Sequence, residues 1–237
     1  MAEHLRFEAL AGQRILVVGG SSGIGFAVAE GAAQHGASVT ITGRDPAKAA
    51  AAAAALGRDA AAVTFEMTDE PAVAAFFAAN PPFDHVVVTA AQLHGGRVRD
   101  LPIELARATF ESKFWGPYLI ARHARITERG SIVLTSGAGA RRPRAGRAPV
   151  AASSAATEVL TRVLASELAP VRVNCISPGL VDTPMLRAVR DPASAAPQQP
   201  VARVGDPAEI AFQFLACMLN PYMTGSVIDI DGGMALV

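Results

Sequence analysis

Residues 14–25 read RILVVGGSSGIG, and this stretch decides the fold. Its first five residues are dominated by branched apolar side chains, which is typical of a buried strand. Gly19, Gly23 and Gly25 follow in a Gly-x-x-x-Gly-x-Gly spacing, directly before an Ala-rich helical segment. Glycines allow a tight turn, and the free N–H groups of a helix N-terminus attract a pyrophosphate. The stretch therefore predicts a dinucleotide-binding turn, although a plain strand-to-helix turn also uses glycine.

Further runs rich in Val and Ile predict more strands, and segments of helical composition separate most of them. The six predicted strands are 14–18, 38–42, 85–89, 131–135, 171–176 and 227–230. Alternating strands and helices favour parallel βαβ units, and continuous apolar strands indicate a sheet covered on both faces. We therefore expect an α/β fold with a doubly wound parallel sheet, in a single Rossmann-type domain that spans residues 1–237.

The composition of three segments between the predicted strands indicates whether each is a helix or a loop. The alanine run 49–55 lies between Pro46 and Gly57, which predicts a helix without a chemical role. Segments 140–149 and 190–200 are rich in Pro and in polar or small residues, and they predict loops.

Composition argues against several classes of protein. The 21 basic residues balance the 21 acidic ones, so no nucleic-acid or anionic membrane partner is expected. The N-terminus lacks a signal-like apolar run and no segment has the composition of a membrane span, so we expect a cytoplasmic protein. Cys175 and Cys217 are too few for a disulfide framework or a thiolate metal site, so we expect reduced core cysteines and no metal.

The segment VVGGSSGIG (17–25) resembles the coenzyme loop of the short-chain dehydrogenase/reductase superfamily. The resemblance continues in FEMTDE (65–70), DHVVVTAA (84–91), GSIVLTSGAG (130–139), RVNCISPGLVDTPM (172–185), RVGDPAEIA (203–211) and YMTGSVIDIDGG (222–233). The order of these segments is that of the family, so the resemblance implies its fold and a nicotinamide dinucleotide as cofactor.

The resemblance also implies which residues would contact the cofactor, at the carboxyl edge of the sheet. These are Gly19, Ser21, Ser22, Gly23, Ile24 and Gly25 around the pyrophosphate, Glu66 and Met67 beside the adenine, Ala90 and Ala91 under the ribose, and Pro178, Gly179, Val181 and Thr183 near the nicotinamide.

Arg44 stands where relatives that prefer NADP often carry a basic residue, and Gly43 stands where relatives that prefer NAD tend to carry Asp. No carboxylate then repels a 2′-phosphate and a guanidinium can bind it, so we expect NADP(H) to be preferred over NAD(H). The alternative is a surface arginine that Asp45 neutralises.

The family pattern breaks at its proton relay of Tyr, Lys, Ser and Asn. An ungapped alignment of the segment 154–170 with the family's helix places Val150 at the tyrosine and Ser154 at the lysine. The asparagine position falls on Lys113, and the serine position falls on Gly137, next to Ser136. Valine cannot donate a proton, so the family's mechanism does not transfer.

Three residues are candidates for the missing chemistry. Desolvation would make Lys113 an acid or an electrostatic clamp on a developing alkoxide, unless it merely pairs with a carboxylate or a cofactor phosphate. Ser136 could orient a substrate carbonyl, but a hydroxyl is a poor acid. His94 lies in the loop after 85–89 and could supply a proton at neutral pH, although a solvated loop histidine is commoner. Arg141, Arg142, Arg144 and Arg147 either bind an anionic substrate or form a solvated face.

We therefore expect an NAD(P)(H)-dependent oxidoreductase that interconverts a small carbonyl compound and an alcohol with an atypical proton donor. The alternatives are a nucleotide-binding protein without turnover, or a non-redox lyase or isomerase on the same scaffold. The resemblance further implies a homo-oligomer, a tetramer, in which helical segments 110–124 and 151–168 pack across a two-fold axis.

Overall fold

A parallel sheet of seven strands forms the centre of the computed structural model, which describes residues 10–57, 59–192 and 199–237. The strands are β1 Arg14–Val18, β2 Ser38–Thr42, β3 Ala60–Val63, β4 Phe83–Val88, β5 Ile126–Thr135, β6 Arg172–Pro178 and β7 Val227–Ile230. They lie in the order β3-β2-β1-β4-β5-β6-β7. The chain runs outward from β1 to β3 and then crosses back to β4, so the strand order reverses between β1 and β4. The predicted doubly wound sheet is confirmed.

Helices cover both faces of this sheet. They are α1 Gly23–Gln34, α2 Pro46–Leu56, α3 Glu70–Ala79, α4 Ile103–Phe110, α5 Gly116–His123, α6 Ala148–Glu167, α7 Pro184–Arg187 and α8 Pro207–Leu219. Ile15 and Val17 of β1 pack in the core that α1, α2 and α8 cover. Leu16 and Val18 belong to the opposite core, under α3, α5 and α6. Because both faces are buried, the strands are apolar throughout rather than alternating.

Sequence and structure differ most at β3. Its residues, AAAV, have low strand propensity, so the sequence prediction missed this edge strand. The other six strands are confirmed, with shifted bounds for β4, β5 and β6. The alanine run forms α2 as predicted. The predicted loop 140–149 is partly wrong, because Ala138–Ala140 form a 3-10 turn and α6 already begins at Ala148. Part of the predicted loop 190–200 lies outside the described residues.

Cys175 and Cys217 are free and buried, as predicted. Over the described ranges no helix is long and apolar enough to cross a bilayer. Over the same ranges no three His, Cys, Asp or Glu side chains come together as a metal site would require.

Candidate cofactor and active site

A cavity of about 570 Å³ opens at the carboxyl edge of the sheet. The strand register aligns Val18 of β1 with Thr42 of β2 and Val88 of β4, so the loops that follow these strands start at one level. The loops after β5 and β6 complete the wall. The cavity therefore spans the point where the strand order reverses, which is where open α/β sheets bind their ligands.

The glycine turn after β1 is shaped by close backbone approach. Gly19 and Gly23 have φ values of +90° and +55°, which favour glycine. A Cβ on Gly25 would lie 2.2 Å from the carbonyl oxygen of Gly19. The N-cap residue of α1, Ser22, makes no side-chain cap and the first turn has no acidic residue, so the helix presents free N–H groups. A dinucleotide pyrophosphate fits this turn.

Every residue that the resemblance assigns to the cofactor lines this cavity, from the glycine turn to Thr183. Arg44 also lines it, is exposed and forms no ion pair with any residue the structure describes. Asp45 accepts hydrogen bonds from the backbone N–H groups of Ala47 and Lys48 and so caps α2. Asp45 thus forms no ion pair with Arg44, although it is the next residue in the chain.

Lys113 lies on the cavity wall in a single π-helical turn, Glu111–Trp115, between α4 and α5. Such turns widen a helix locally and often occur at functional sites. The lysine is only 5% exposed, and its Nζ donates to the carbonyl oxygen of Ser136 at 2.8 Å. The Thr157 hydroxyl of α6 lies 2.8 Å from the Lys113 carbonyl oxygen and 2.9 Å from that of Ser153, so its one proton is shared between them and links α6 to the turn. Burial lowers the pKa of Lys113 to about 8.

Ser136 lines the same cavity, but its hydroxyl donates to the Glu158 carboxylate at 3.0 Å. Glu158 is a buried residue of α6 and also accepts a hydrogen bond from Arg141. The Nε atom of Arg141 lies 3.3 Å from Oδ2 of Asp229. The Ser136 hydroxyl proton is therefore used by Glu158, and only the lone pairs of the hydroxyl oxygen are available to a substrate. Val150 and Ser154 of α6 line the cavity, whereas His94 does not.

Sequence reasoning missed Thr157 and Glu158, which hold Lys113 and Ser136 in place. A signal was present, because Ser154, Thr157, Glu158 and Thr161 recur at helical spacing and form a polar stripe along one face of the helix. All four are buried. A polar stripe that faces the core must find partners there, so such a pattern predicts a network of buried hydrogen bonds.

Comparison with known proteins agrees with this geometry. The family model described as enoyl-(acyl carrier protein) reductase matches residues 18–235. The chain is 31% identical to the short-chain dehydrogenase/reductase malC of Malbranchea aurantiaca, over 96% of each chain. It is similar to the solved structure of the MalC reductase/Diels-Alderase from that organism, with a TM-score of 0.88 and 30% identity over 98% of this chain and all of that one.

A third similar structure is a small-chain dehydrogenase in complex with NADPH, with a TM-score of 0.81 and 34% identity over 95% of this chain and all of that one. The family model covers nearly the whole chain and these relatives align along nearly their full length. The protein therefore belongs to the short-chain dehydrogenase/reductase superfamily, and the relatives reported above are named dehydrogenases or reductases.

Proposed function

We propose that this protein is an NADP(H)-dependent oxidoreductase that interconverts a carbonyl and an alcohol with Lys113 as its proton donor. The observation that carries the proposal is a buried lysine amine on the wall of the cofactor cavity, held by the carbonyl oxygen of Ser136 at 2.8 Å. Among the similar proteins, one structure holds NADPH. The free Arg44 beside the glycine turn supports the same cofactor here.

The proposal includes the loss of the family's usual relay. Val150 and Ser154 occupy the tyrosine and lysine positions of the alignment, and both line the cavity. Ser154 is almost fully buried and has no carboxylic or ammonium group to exchange a proton with substrate. Among the cavity-lining residues described, Lys113 is the buried group with a proton to donate near neutral pH.

The chain's own residues supply binding and proton transfer. NADP(H), when bound, supplies or accepts the hydride. Because the pKa of Lys113 is about 8, the side chain is largely protonated at neutral pH and still close to losing its proton. It can therefore give a proton to a developing alkoxide, or stabilise the negative charge on that oxygen. The Ser136 carbonyl holds one N–H of the ammonium, which leaves the other two for a substrate.

The test is Lys113→Met, compared with Lys48→Met, because Lys48 is the other lysine of the chain and lies on the exposed surface of α2. We expect carbonyl reduction to fall about a hundredfold or more in Lys113→Met, because a preorganised electrostatic donor is lost. NADPH affinity stays within about a few fold, since binding rests on the glycine turn. An undiminished rate in Lys113→Met would contradict the assignment, and His94 would be tested next.

A second function in the same cavity is a non-redox conversion. It is favoured by the similar structure described as a reductase/Diels-Alderase, and by an active-site helix that presents valine at the tyrosine position. Product formation without a change in nicotinamide absorbance would identify this function. Tight NADPH binding without any turnover would instead favour a nucleotide-binding protein.

We also propose a cytoplasmic homotetramer whose chain is one dinucleotide-binding domain over residues 1–237. The helices expected at the subunit contact carry exposed apolar side chains, among them Trp115, Val159 and Val163. Apolar groups on neighbouring helical surfaces are typical of a two-fold interface. We expect light scattering to return a tetramer at micromolar concentration, and a monomer would contradict the proposal.

A further inference from the structure

The charge lining the cavity is strongly one-sided, although the chain as a whole is neutral. Among the described residues that line it, six are cationic and Glu66 is the single acid. Arg44 and Lys113 have roles in the proposed function. The other four, Arg142, Arg144, Arg147 and Arg190, have none there. Unbalanced like charges repel each other, so a cluster of this kind is stabilised when an anion enters it.

These four arginines differ from their neighbour Arg141. Arg141 is paired with Glu158 and Asp229, and it does not line the cavity. Arg142 donates to the Met234 carbonyl oxygen at 3.3 Å. Arg144, Arg147 and Arg190 form no ion pair with any residue in the described ranges. Their guanidinium groups therefore keep their donors for a ligand.

The loop that carries Arg144 and Arg147 is held in place by its backbone. The N–H of Arg147 donates to the Arg144 carbonyl at 3.1 Å, and Gly96 of the facing loop donates to Gly146 at 2.8 Å. The Arg147 guanidinium lies over Gly95, where a Cβ would be 3.0 Å from its Nη1. An arginine placed this way loses less freedom when it binds an anion.

Three of the four arginines, Arg142, Arg144 and Arg147, lie in the loop between β5 and α6, whereas Arg190 follows α7. Strand β5 is three strands away from β2, which precedes Arg44, or roughly 14 Å at the usual strand spacing. Arg147 is the N-cap residue of α6, one helical turn before Val150. This loop is thus close in the chain to α6 and follows a strand distant from the one that precedes Arg44.

We infer that the substrate carries an oxyanion, a carboxylate or a phosphate, which Arg144 and Arg147 bind with Arg190 at the same cavity. The reacting carbonyl of this substrate rests on the proposed function, whereas its anionic group does not. A guanidinium donates two parallel hydrogen bonds to either oxyanion. The substrate class is therefore a small oxo acid or the phosphate ester of a keto alcohol.

The test measures binding rather than turnover, on the protein loaded with NADP⁺, which has no hydride to transfer to a carbonyl. Oxo acids of increasing chain length are titrated by calorimetry beside their methyl esters, and phosphate esters of the matching keto alcohols form a second series. We expect the anion to bind at least about tenfold more tightly than its neutral ester, since hydrogen bonds to charged groups are strong. Which series binds more tightly identifies the oxyanion. The preference shrinks in about 0.5 M salt because the arginines are exposed.

The double variant Arg144→Gln with Arg147→Gln should reduce this preference to about twofold or less, with unchanged NADPH affinity. Arg99→Gln is the matched control, because Arg99 is exposed and does not line the cavity. Equal binding of acid and ester to the wild-type protein would overturn the inference. So would a loss of the preference for the acid in Arg99→Gln as large as that in the double variant. Binding of an acidic carrier protein without a preference for free oxyanions would also overturn it.

The two proposals fail separately. Arginine-dependent binding of an oxo acid that is never reduced would leave the anion site standing and refute the proposed carbonyl chemistry. Reduction of neutral ketones with no preference for an anion would do the reverse.

Discussion

The two halves of the cavity are built in different ways. In the half formed by β1 and α1, the shape comes from the backbone, with glycines at positive φ and free helix N–H groups. In the half formed by β5, the π-helical turn and α6, the shape comes from buried side chains that bond one another, such as Thr157 to Lys113 and Ser136 to Glu158.

This difference would explain why the backbone-built half keeps the family pattern while the proposed departures lie in the other half. A glycine whose Cβ would touch backbone has no substitute, so the first half admits little variation. A polar side chain at a cavity wall can change as long as its partners change with it, because the fold does not depend on it. The proposed departures at Val150 and Ser154 would therefore alter the chemistry without altering the sheet or the cavity.

The largest effect should come from adding a Cβ to the glycine turn, in the half of the cavity that the backbone shapes. In Gly25→Ala the new Cβ would lie 2.2 Å from the Gly19 carbonyl oxygen and 2.4 Å from Thr89 Oγ1, so the turn must move. We expect NADPH affinity to fall about a hundredfold, as the loss of two charge-assisted hydrogen bonds would produce. Unfolding free energy should fall by about 1–3 kcal/mol through overpacking.

The matched control for this prediction is Gly205→Ala. A Cβ on Gly205 meets its nearest neighbour at an ordinary 3.7 Å, and this glycine does not line the cavity. Fluorescence titration with NADPH and thermal unfolding measure both variants. If Gly25→Ala binds NADPH as tightly as the control, the close backbone approach does not shape the cofactor site.

The two halves also differ in how much the sequence predicts. The alternation of strands and helices and the glycine turn follow from local patterns, because a glycine turn after an apolar strand has few possible structures. The fifteen cofactor candidates as a set follow from the resemblance to the family, and all of them line the cavity. The contacts of Lys113 depend on partners 23 and 44 residues away, at Ser136 and Thr157. The polar stripe of α6 indicates that Thr157 has a buried partner, but not that this partner is Lys113. The edge strand β3 was missed for the opposite reason, since its alanines carry no strand signal of their own.

The second-largest effect is on the free energy of unfolding, which is lowered because the Lys113 ammonium is buried in the half of the cavity built from side chains. The pKa of Lys113 falls from 10.5 to about 8 because burial disfavours the ammonium. Below pH 8 the lysine is protonated in both the folded and the unfolded state, and the full cost of about 3 kcal/mol applies. Between pH 8 and 10.5 the unfolded state binds more protons, so this cost disappears as pH rises.

We therefore expect Lys113→Met to be more stable than the wild-type protein at pH 7, by about 2 kcal/mol once a lost hydrogen bond is subtracted. The gap should close as pH rises and change sign near pH 10.5, because the neutral amine no longer carries the cost of a buried charge and keeps its hydrogen bond. Burial raises the pKa of Cys175 and Cys217, which lowers stability at alkaline pH, so the difference between the two proteins is the quantity to follow. Denaturant unfolding across this pH range measures it, and a gap independent of pH would contradict a buried ammonium.

The smallest effect belongs to the exposed edge of the backbone half, at Arg44. Arg44→Ala should weaken NADPH binding by about tenfold and leave NADH binding unchanged, because only the 2′-phosphate loses a partner. The effect is modest since solvent and salt screen an exposed guanidinium, and it should shrink further at high ionic strength. Arg44→Lys tests the geometry of the contact, because lysine keeps the charge but lacks the planar fork, so an intermediate affinity is expected. Parallel fluorescence titrations with both nucleotides measure these affinities. An equal loss for NADPH and NADH would mean that Arg44 supports the turn after β2 rather than a phosphate, and the preference for NADP(H) would then have no residue to explain it.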